Sequence, residues 1–194
     1  MTSDGTSTVE PTPSLRPAES SDEGLLLRIF AESHCAGFEL LALEPAALEG
    51  LIRMQFQARQ GQYRMQPGAV EYLIRRDGIP VGSCWLSESA EQLRVLDIAV
   101  LAEHRRRGIA RSVLGELSAR AVAAGKPVRL SVWRENSPAL ALYREFGFRP
   151  APDVGGAGGE PGDLGNGYLE LELPAGAASQ PSAGAASQPS AGAR

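Results

Sequence analysis

Cysteine is nearly absent from this chain: Cys35 and Cys84 are the only two in 194 residues. They form no CxxC pair, which excludes a cysteine-built zinc cluster and leaves two buried thiols in a reducing compartment as the expectation. A catalytic thiol would need a histidine partner. His34 adjoins Cys35, but sequence neighbours on a helix point in different directions, so the pair reads as structural. Long apolar runs are missing too. None approaches the ~20 residues that span a bilayer, and Met1–Pro13 is polar, without the apolar stretch of a secretory signal. A cytoplasmic protein with no membrane partner is expected. Nor is there a surplus of positive charge. Nineteen Lys and Arg against 23 Asp and Glu give a formal charge of −4, the wrong sign for a general nucleic-acid binder. Neither GxxxxGK(S/T) nor GxGxxG occurs, so a P-loop and a dinucleotide fingerprint are both excluded. No metal site is expected.

What is present is ordinary hydrophobic content, 43%, enough for one buried core with tails. Residues 1–14 have the composition of a disordered tail. At the other end AGAASQPS occurs twice in tandem, as Ala175–Ser182 and Ala183–Ser190. A unit this short and this small has nothing to bury, and the tail over 175–194 reads as solubilising or partner-binding. The folded domain is expected over 15–174, as a monomer or a homodimer.

Within it, strands and helices alternate. Leu15–Ala18 is a short first strand. Asp22 caps a helix to about Ser33, and a second helix runs from Pro45 to about Gln60, with proline at its first turn. Val70–Arg76 and Ile79–Ser87 are strands joined by Asp77-Gly78, a strong hairpin signal. Leu93–Val100 is a third strand whose apolar phase shifts: Leu93 and Val95 share one parity, while Leu96, Ile98 and Val100 share the other. Burial on both faces and a β-bulge both explain the shift. A helix follows over Gly108–Ala124, closed by Gly125 and Pro127. Val128–Trp133 is a strand, Ser137 caps a last helix ending near Gly147, and Phe148 opens a further strand. A Gly- and Pro-rich loop spans 151–167, and Tyr168–Leu173 alternates as the final strand. The class is α/β: a mixed sheet with helices on both faces.

The segment Val100–Ser112, VLAEHRRRGIARS, joins a strand to an amphipathic helix. A helix N-terminus carries unpaired N–H groups and partial positive charge, and so suits a phosphate. Gly108 and the small Ala110 allow close approach. Arg105, Arg106, Arg107 and Arg111 concentrate positive charge on an acidic chain, and Ser112 adds a hydroxyl.

The pattern Arg105-x-x-Gly108-x-Ala110 matches the (Q/R)-x-x-G-x-(G/A) element of the GNAT superfamily of N-acetyltransferases. The preceding Ile98-Ala99-Val100 looks like that family's pantetheine-binding strand. Asn136…Ala139…Leu142-Tyr143-Arg144-Glu145-Phe146-Gly147-Phe148 is similar to its N-x-x-A-x-x-(L/F)-Y-x-x-x-G-F element. The resemblance covers about 15–173. It implies a GNAT-like fold, a central, mostly antiparallel sheet of six to seven strands flanked by about four helices. It also implies acetyl-CoA as acyl donor and an amine as acceptor. By the same resemblance, N–H groups from Arg106 through Ile109 to Arg111 cradle the CoA pyrophosphate. Backbone groups of Ile98 and Val100 pair with pantetheine, Asn136 contacts pantetheine or a water, and Tyr143 protonates the departing thiolate.

Amine attack on a thioester builds charge on the carbonyl oxygen, which an N–H near Val100 would stabilise. The departing sulfur calls for a hydroxyl acid such as Tyr143. The amine must lose a proton, and Asp97, on the cleft strand, is the candidate base. Plainer roles stand beside these: Tyr143 as a core tyrosine, Asn136 as a helix cap, and Asp97 as a structural partner. Trp85 and Trp133 are core or cleft-wall residues. Met54, Phe56, Tyr63 and Met65 pack the second helix or line the acceptor pocket. Glu103 and His104 receive no chemistry. The reading is an acetyltransferase acting on a small molecule, a protein N-terminus or a lysine. Its alternatives are a non-catalytic acyl-CoA sensor and an aminoacyl-tRNA acetylating toxin, the last disfavoured by the acidic balance.

Overall fold

The computed structural model describes residues 12–155 and 160–176. The expected N-terminal tail and the C-terminal repeat fall almost wholly outside these residues. The chain runs β1 (Ser14–Pro17), α1 (Glu23–His34), α2 (Pro45–Arg64), β2 (Ala69–Arg76), β3 (Ile79–Glu88), β4 (Leu93–Val100), α3 (Ile109–Ala123), β5 (Val128–Trp133), α4 (Ser137–Glu145), β6 (Arg149–Pro150) and β7 (Tyr168–Leu173). The seven strands form one sheet in the order β1-β2-β3-β4-β5-β7-β6. Only β4 and β5 run parallel; every other pairing is antiparallel. The expected mixed sheet with helices on both faces is what forms. No helix among the described residues is long and apolar enough to cross a membrane.

Local chemistry accounts for most boundaries. Asp77 and Gly78 both take positive φ, 54° and 77°, which a two-residue turn needs to match strand twist. α2 runs four residues past the expected end. Gln60 is buried, and Tyr63 packs on Trp85 at 5.5 Å between ring centroids, so the inward face continues past Gly61. Two expected helix starts are corrected. Gly108 stands before α3 as its N-cap rather than inside it. Asn136, not Ser137, caps α4: its Oδ1 accepts the Ala139 N–H at 3.2 Å, and Ser137-Pro138 form the first turn.

Each face of the sheet carries its own core. Ile74, Val81, Cys84, Leu86, Val128, Leu130 and Leu171 pack with α3 and α4 residues such as Val113, Leu114, Leu117 and Leu140. On the opposite face Leu73 and Ala99 pack with Leu26, Ile29 and Phe30 of α1 and Phe56 of α2. Cys35 belongs to this second core and Cys84 to the first, so the sheet separates the two thiols.

The phase shift in β4 is a β-bulge. The register against β3 jumps between Trp85↔Asp97 and Leu86↔Val95, leaving Leu96 without a partner. Before it, Leu93 and Val95 enter the α3/α4 core. After it, Ile98 and Val100 do, and Ala99 turns to the α1/α2 core. The same bulge marks where β4 leaves β5: the two strands pair only over Leu93–Val95 against Val128–Leu130. At that closed end Arg94 of β4 is clamped to Glu170 of β7 and donates to Ser131 of β5 at 2.9 Å, with Glu170 only 2% exposed. A buried ion pair with its remaining oxygens hydrogen-bonded is costly to break.

Beyond the bulge β3 and β4 approach closely. A Cβ on Gly82 would meet the Ala99 carbonyl oxygen at 2.2 Å. Gly82→Ala is expected to lower unfolding stability by roughly 1–3 kcal/mol, the range for forced overpacking with backbone displacement, as read from a chemical denaturation midpoint. Gly61→Ala, on a helix with no neighbour within 4 Å, is expected to leave stability unchanged or slightly raised.

Candidate active site

Where β4 and β5 part, the sheet holds a cleft with one open backbone edge. The Leu101 N–H donates to the Val81 carbonyl at 3.0 Å. Strand alternation therefore turns Ala99 and Asp97 toward β3, and Ile98 and Val100 toward the side that β5 has left. The Val100 carbonyl faces that side and accepts the Arg105 Nε–H at 2.9 Å. An extended ligand can thus meet the N–H groups of Ile98 and Val100 as an added strand would.

The loop after β4 ends at α3 in a conformation built for an anion. Arg106 takes φ 60° and Gly108 φ 73°, so two residues of four are left-handed. Holding a non-glycine there costs about 1–3 kcal/mol and marks a constrained site. Such turns point successive N–H groups into one concavity. The Ser112 N–H closes the first helical bond, to the Gly108 carbonyl at 2.9 Å. The N–H groups of Gly108, Ile109, Ala110 and Arg111 have no acceptor among the described residues, and the Gly108 cap adds no side chain over them. Ser112 is exposed beside them.

The four arginines divide. Arg106 and Arg107 are exposed at the loop. Arg105 is occupied: besides Val100, its guanidinium donates to the Glu32 carbonyl at 2.7 Å and to Ser33 Oγ at 3.3 Å. It ties the end of α1 to the end of β4. Glu32 assists by accepting the Ala102 N–H at 2.9 Å, and that bond holds its carboxyl below the ordinary range. Arg111 is paired with Glu145 and lies over the Phe146 ring, 5.8 Å from its centroid. The loop's attraction for an anion therefore rests on main-chain N–H groups, with Arg106 and Arg107 adding mobile charge.

Tyr143 and Asp97 come from opposite sides of the opening. Tyr143, on α4, packs against the α3/α4 core with Phe148 at 5.7 Å. Its hydroxyl has no hydrogen-bond partner among the described residues. Burial first, and the negative charge of Asp97 second, push its pKa from 10.0 up to about 12. It is a protonated donor throughout the physiological range. Burial and Asp97 likewise push the Cys84 thiol upward, so this thiol is inert. Asn136 is exposed, its oxygen spent on the cap and its amide N–H groups free to reach a ligand.

Asp97 lies on the α1/α2 face, where three further residues join it that sequence reading either passed over or took for packing. Its Oδ2 lies 2.9 Å from His34 Nε2. His34 Nδ1 lies 3.2 Å from Arg59 Nη1, and Arg59 Nε donates to the Tyr63 hydroxyl at 2.8 Å. A guanidinium can only donate, so Nδ1 accepts and Nε2–H donates to Asp97, which fixes the imidazole as one neutral tautomer. Burial first, and Asp97 second, push Tyr63 to about 12. Trp133 and Tyr168 stand edge to face at 5.1 Å and remain 43% and 39% exposed. A polar hollow of about 600 Å³ lies nearby between α1, α2 and β2, lined by Glu23, Gln60, Glu71 and Trp85 among others. Burial raises the Glu71 carboxyl there. The i, i+4 spacing of Arg59 and Tyr63 was the one sequence signal for this group; nothing local links His34 to Asp97.

A family model described as the Acetyltransferase (GNAT) family matches residues 29–148. Among solved structures, an acetyltransferase from Thermus thermophilus is 25% identical, with 84% of this chain and 97% of that chain covered at a TM-score of 0.57. The PaiA N-acetyltransferase from Thermoplasma acidophilum, solved in complex with coenzyme A, is 17% identical, covering 83% and 98% at 0.57. A GNAT family acetyltransferase from Elizabethkingia anophelis, solved with acetyl-CoA bound, is 16% identical, covering 84% and 98% at 0.51. No curated protein matches the chain.

The raised tyrosines carry a signed consequence for stability. Unfolded phenols lose their protons near 10, the folded Tyr63 and Tyr143 only near 12. The unfolded state then binds fewer protons, so stability is intact below pH 10 and falls as pH rises toward 12. Denaturation midpoints measured at pH 9 and pH 11 should differ, and the difference should shrink in Tyr143→Phe and in Tyr63→Phe.

Proposed function

The chain belongs to the GNAT family of acetyltransferases, and from that premise we propose that it moves an acetyl group from acetyl-CoA to a primary amine. The observation that carries this reading is the pairing of two empty backbone surfaces on either side of one short loop. These are the open β4 edge at Ile98 and Val100, and the unpaired N–H cradle from Gly108 to Arg111. They suit the two parts of the donor: an extended, amide-bearing pantetheine and a pyrophosphate.

Acetyl-CoA supplies an acetyl group activated as a thioester. The residues of the chain provide the rest. The Arg106–Arg111 main chain binds the pyrophosphate, with Arg106 and Arg107 adding charge. The β4 edge aligns the pantetheine arm, and the outward N–H of Val100 donates to the carbonyl oxygen as negative charge develops on it. The Asp97 carboxylate accepts the amine's proton, directly or through a water, and Arg59 and His34 hold it in place. The Tyr143 hydroxyl, free of other partners, gives its proton to the departing sulfur. Arg105 acts indirectly, by holding α1 and the start of the loop against β4.

This assignment is tested by incubating the full chain with acetyl-CoA and a panel of primary amines while following free thiol. Amine-dependent thiol release is expected. Tyr143→Phe should lower kcat by at least about 10²-fold, the usual contribution of a positioned acid, with little change in acetyl-CoA affinity. Tight binding of acetyl-CoA without any amine-dependent release would instead make the chain an acyl-CoA sensor.

A further inference from the structure

Resting on the acyltransferase reading, we propose that Arg59 anchors a carboxylate on the acceptor, and that the acceptor class is the free α-amino acid. Three half-buried arginines of this protein are paired directly with carboxylates. Arg16 meets Asp22 at 2.8 Å, Arg94 meets Glu170, and Arg129 meets Glu172 at 2.6 Å and Asp153 at 2.8 Å. Arg59 differs. Its guanidinium is half-buried, yet its two hydrogen-bond partners, the Tyr63 hydroxyl and His34 Nδ1, are both neutral. Among the described residues no carboxylate pairs with it directly; the negative charge of Asp97, across the imidazole, is the first to favour its charged form against burial. These two contacts leave part of the donor capacity of a guanidinium, five N–H groups, for a further acceptor, and its fork fits a carboxylate or a phosphate bidentately.

The position an acceptor carboxylate would take follows from His34. One neutral imidazole separates Arg59 from Asp97, bonded at 3.2 Å on one side and 2.9 Å on the other. The site therefore presents a positive and a negative group one imidazole apart. In an α-amino acid the amine and the carboxylate are separated by about the spacing of the two imidazole nitrogens. A molecule lying alongside His34 sets its carboxylate on Arg59 and its amine beside Asp97, the group proposed to take the proton. A peptide N-terminus has the same amine but no carboxylate at that spacing, so the anchor selects against it.

The test pairs each common L-amino acid with its own α-amide as acceptor and follows thiol release. At least one amino acid should exceed its amide by roughly 100-fold in kcat/KM, the order expected when a buried charge loses a charged, hydrogen-bonded partner. In Arg59→Gln that ratio should fall to near one, and in Arg59→Lys it should fall part of the way. Unchanged acetyl-CoA affinity in both variants serves as the check that they are folded. Amides equal to or better than their acids in the native protein, or an equal loss for both in Arg59→Gln, overturns the proposal while leaving the acyltransferase reading intact. If no amine of either kind releases thiol, that reading fails, and tryptophan fluorescence in the presence of CoA decides the anchor alone. Saturable quenching by an amino acid that is lost in Arg59→Gln supports the anchor, and no quenching by any amino acid overturns it.

Discussion

The parting of β4 from β5 after three paired residues is the constraint on which the rest of the site depends. Two parallel strands in mid-sheet would ordinarily saturate each other's backbone groups along their length. Here the bulge at Leu96 and the Arg94–Glu170–Ser131 clamp hold the strands together at one end and let them diverge beyond it. Divergence leaves the N–H groups of Ile98 and Val100 without a strand partner at a half-buried edge within the sheet. Tyr143, on the α3/α4 side, and Asp97, on the α1/α2 side, come to this opening from opposite faces of the sheet, and the charge of Asp97 helps to raise the tyrosine's pKa.

The electrostatics of the two halves differ in kind. The donor half uses fixed dipoles: N–H groups held in place by the left-handed Arg106 and Gly108 and by the first turn of α3. They need no reorganisation when an anion arrives. The acceptor half uses side chains held by one another. Arg59 fixes the His34 tautomer, His34 fixes Asp97, and Tyr63 holds Arg59. The chain of contacts crosses α1, α2 and β4, so the helices that build the second core also set the aim of the proposed base.

The loop and helix start proposed for the donor were legible in the sequence because their residues are contiguous. Arg105 through Ala110 sit between a readable strand and a readable helix, and the phase shift in Leu93–Val100 left a bulge as one of two explanations, which the register against β3 selects. What that reading missed was the use of the side chains. Arg105 looks like a phosphate ligand, yet its guanidinium is spent on Val100, Glu32 and Ser33. The Asn136-Ser137 pair offered two good caps, and only backbone geometry selects the first. The acceptor half was nearly illegible, because its contacts are remote. His34 and Asp97 are 63 residues apart, His34 and Arg59 are 25, and no local pattern announces a pairing of that span.

The central claim is that one strand edge and one helix start receive the acyl donor. Amide hydrogen exchange of the full chain with and without acetyl-CoA tests it most directly. Slowed exchange at Ile98 and Val100 and across Arg106–Arg111, with the amides of α2 little changed, is the predicted result. Binding of acetyl-CoA that leaves those amides exchanging as before, or protects another surface instead, would contradict it.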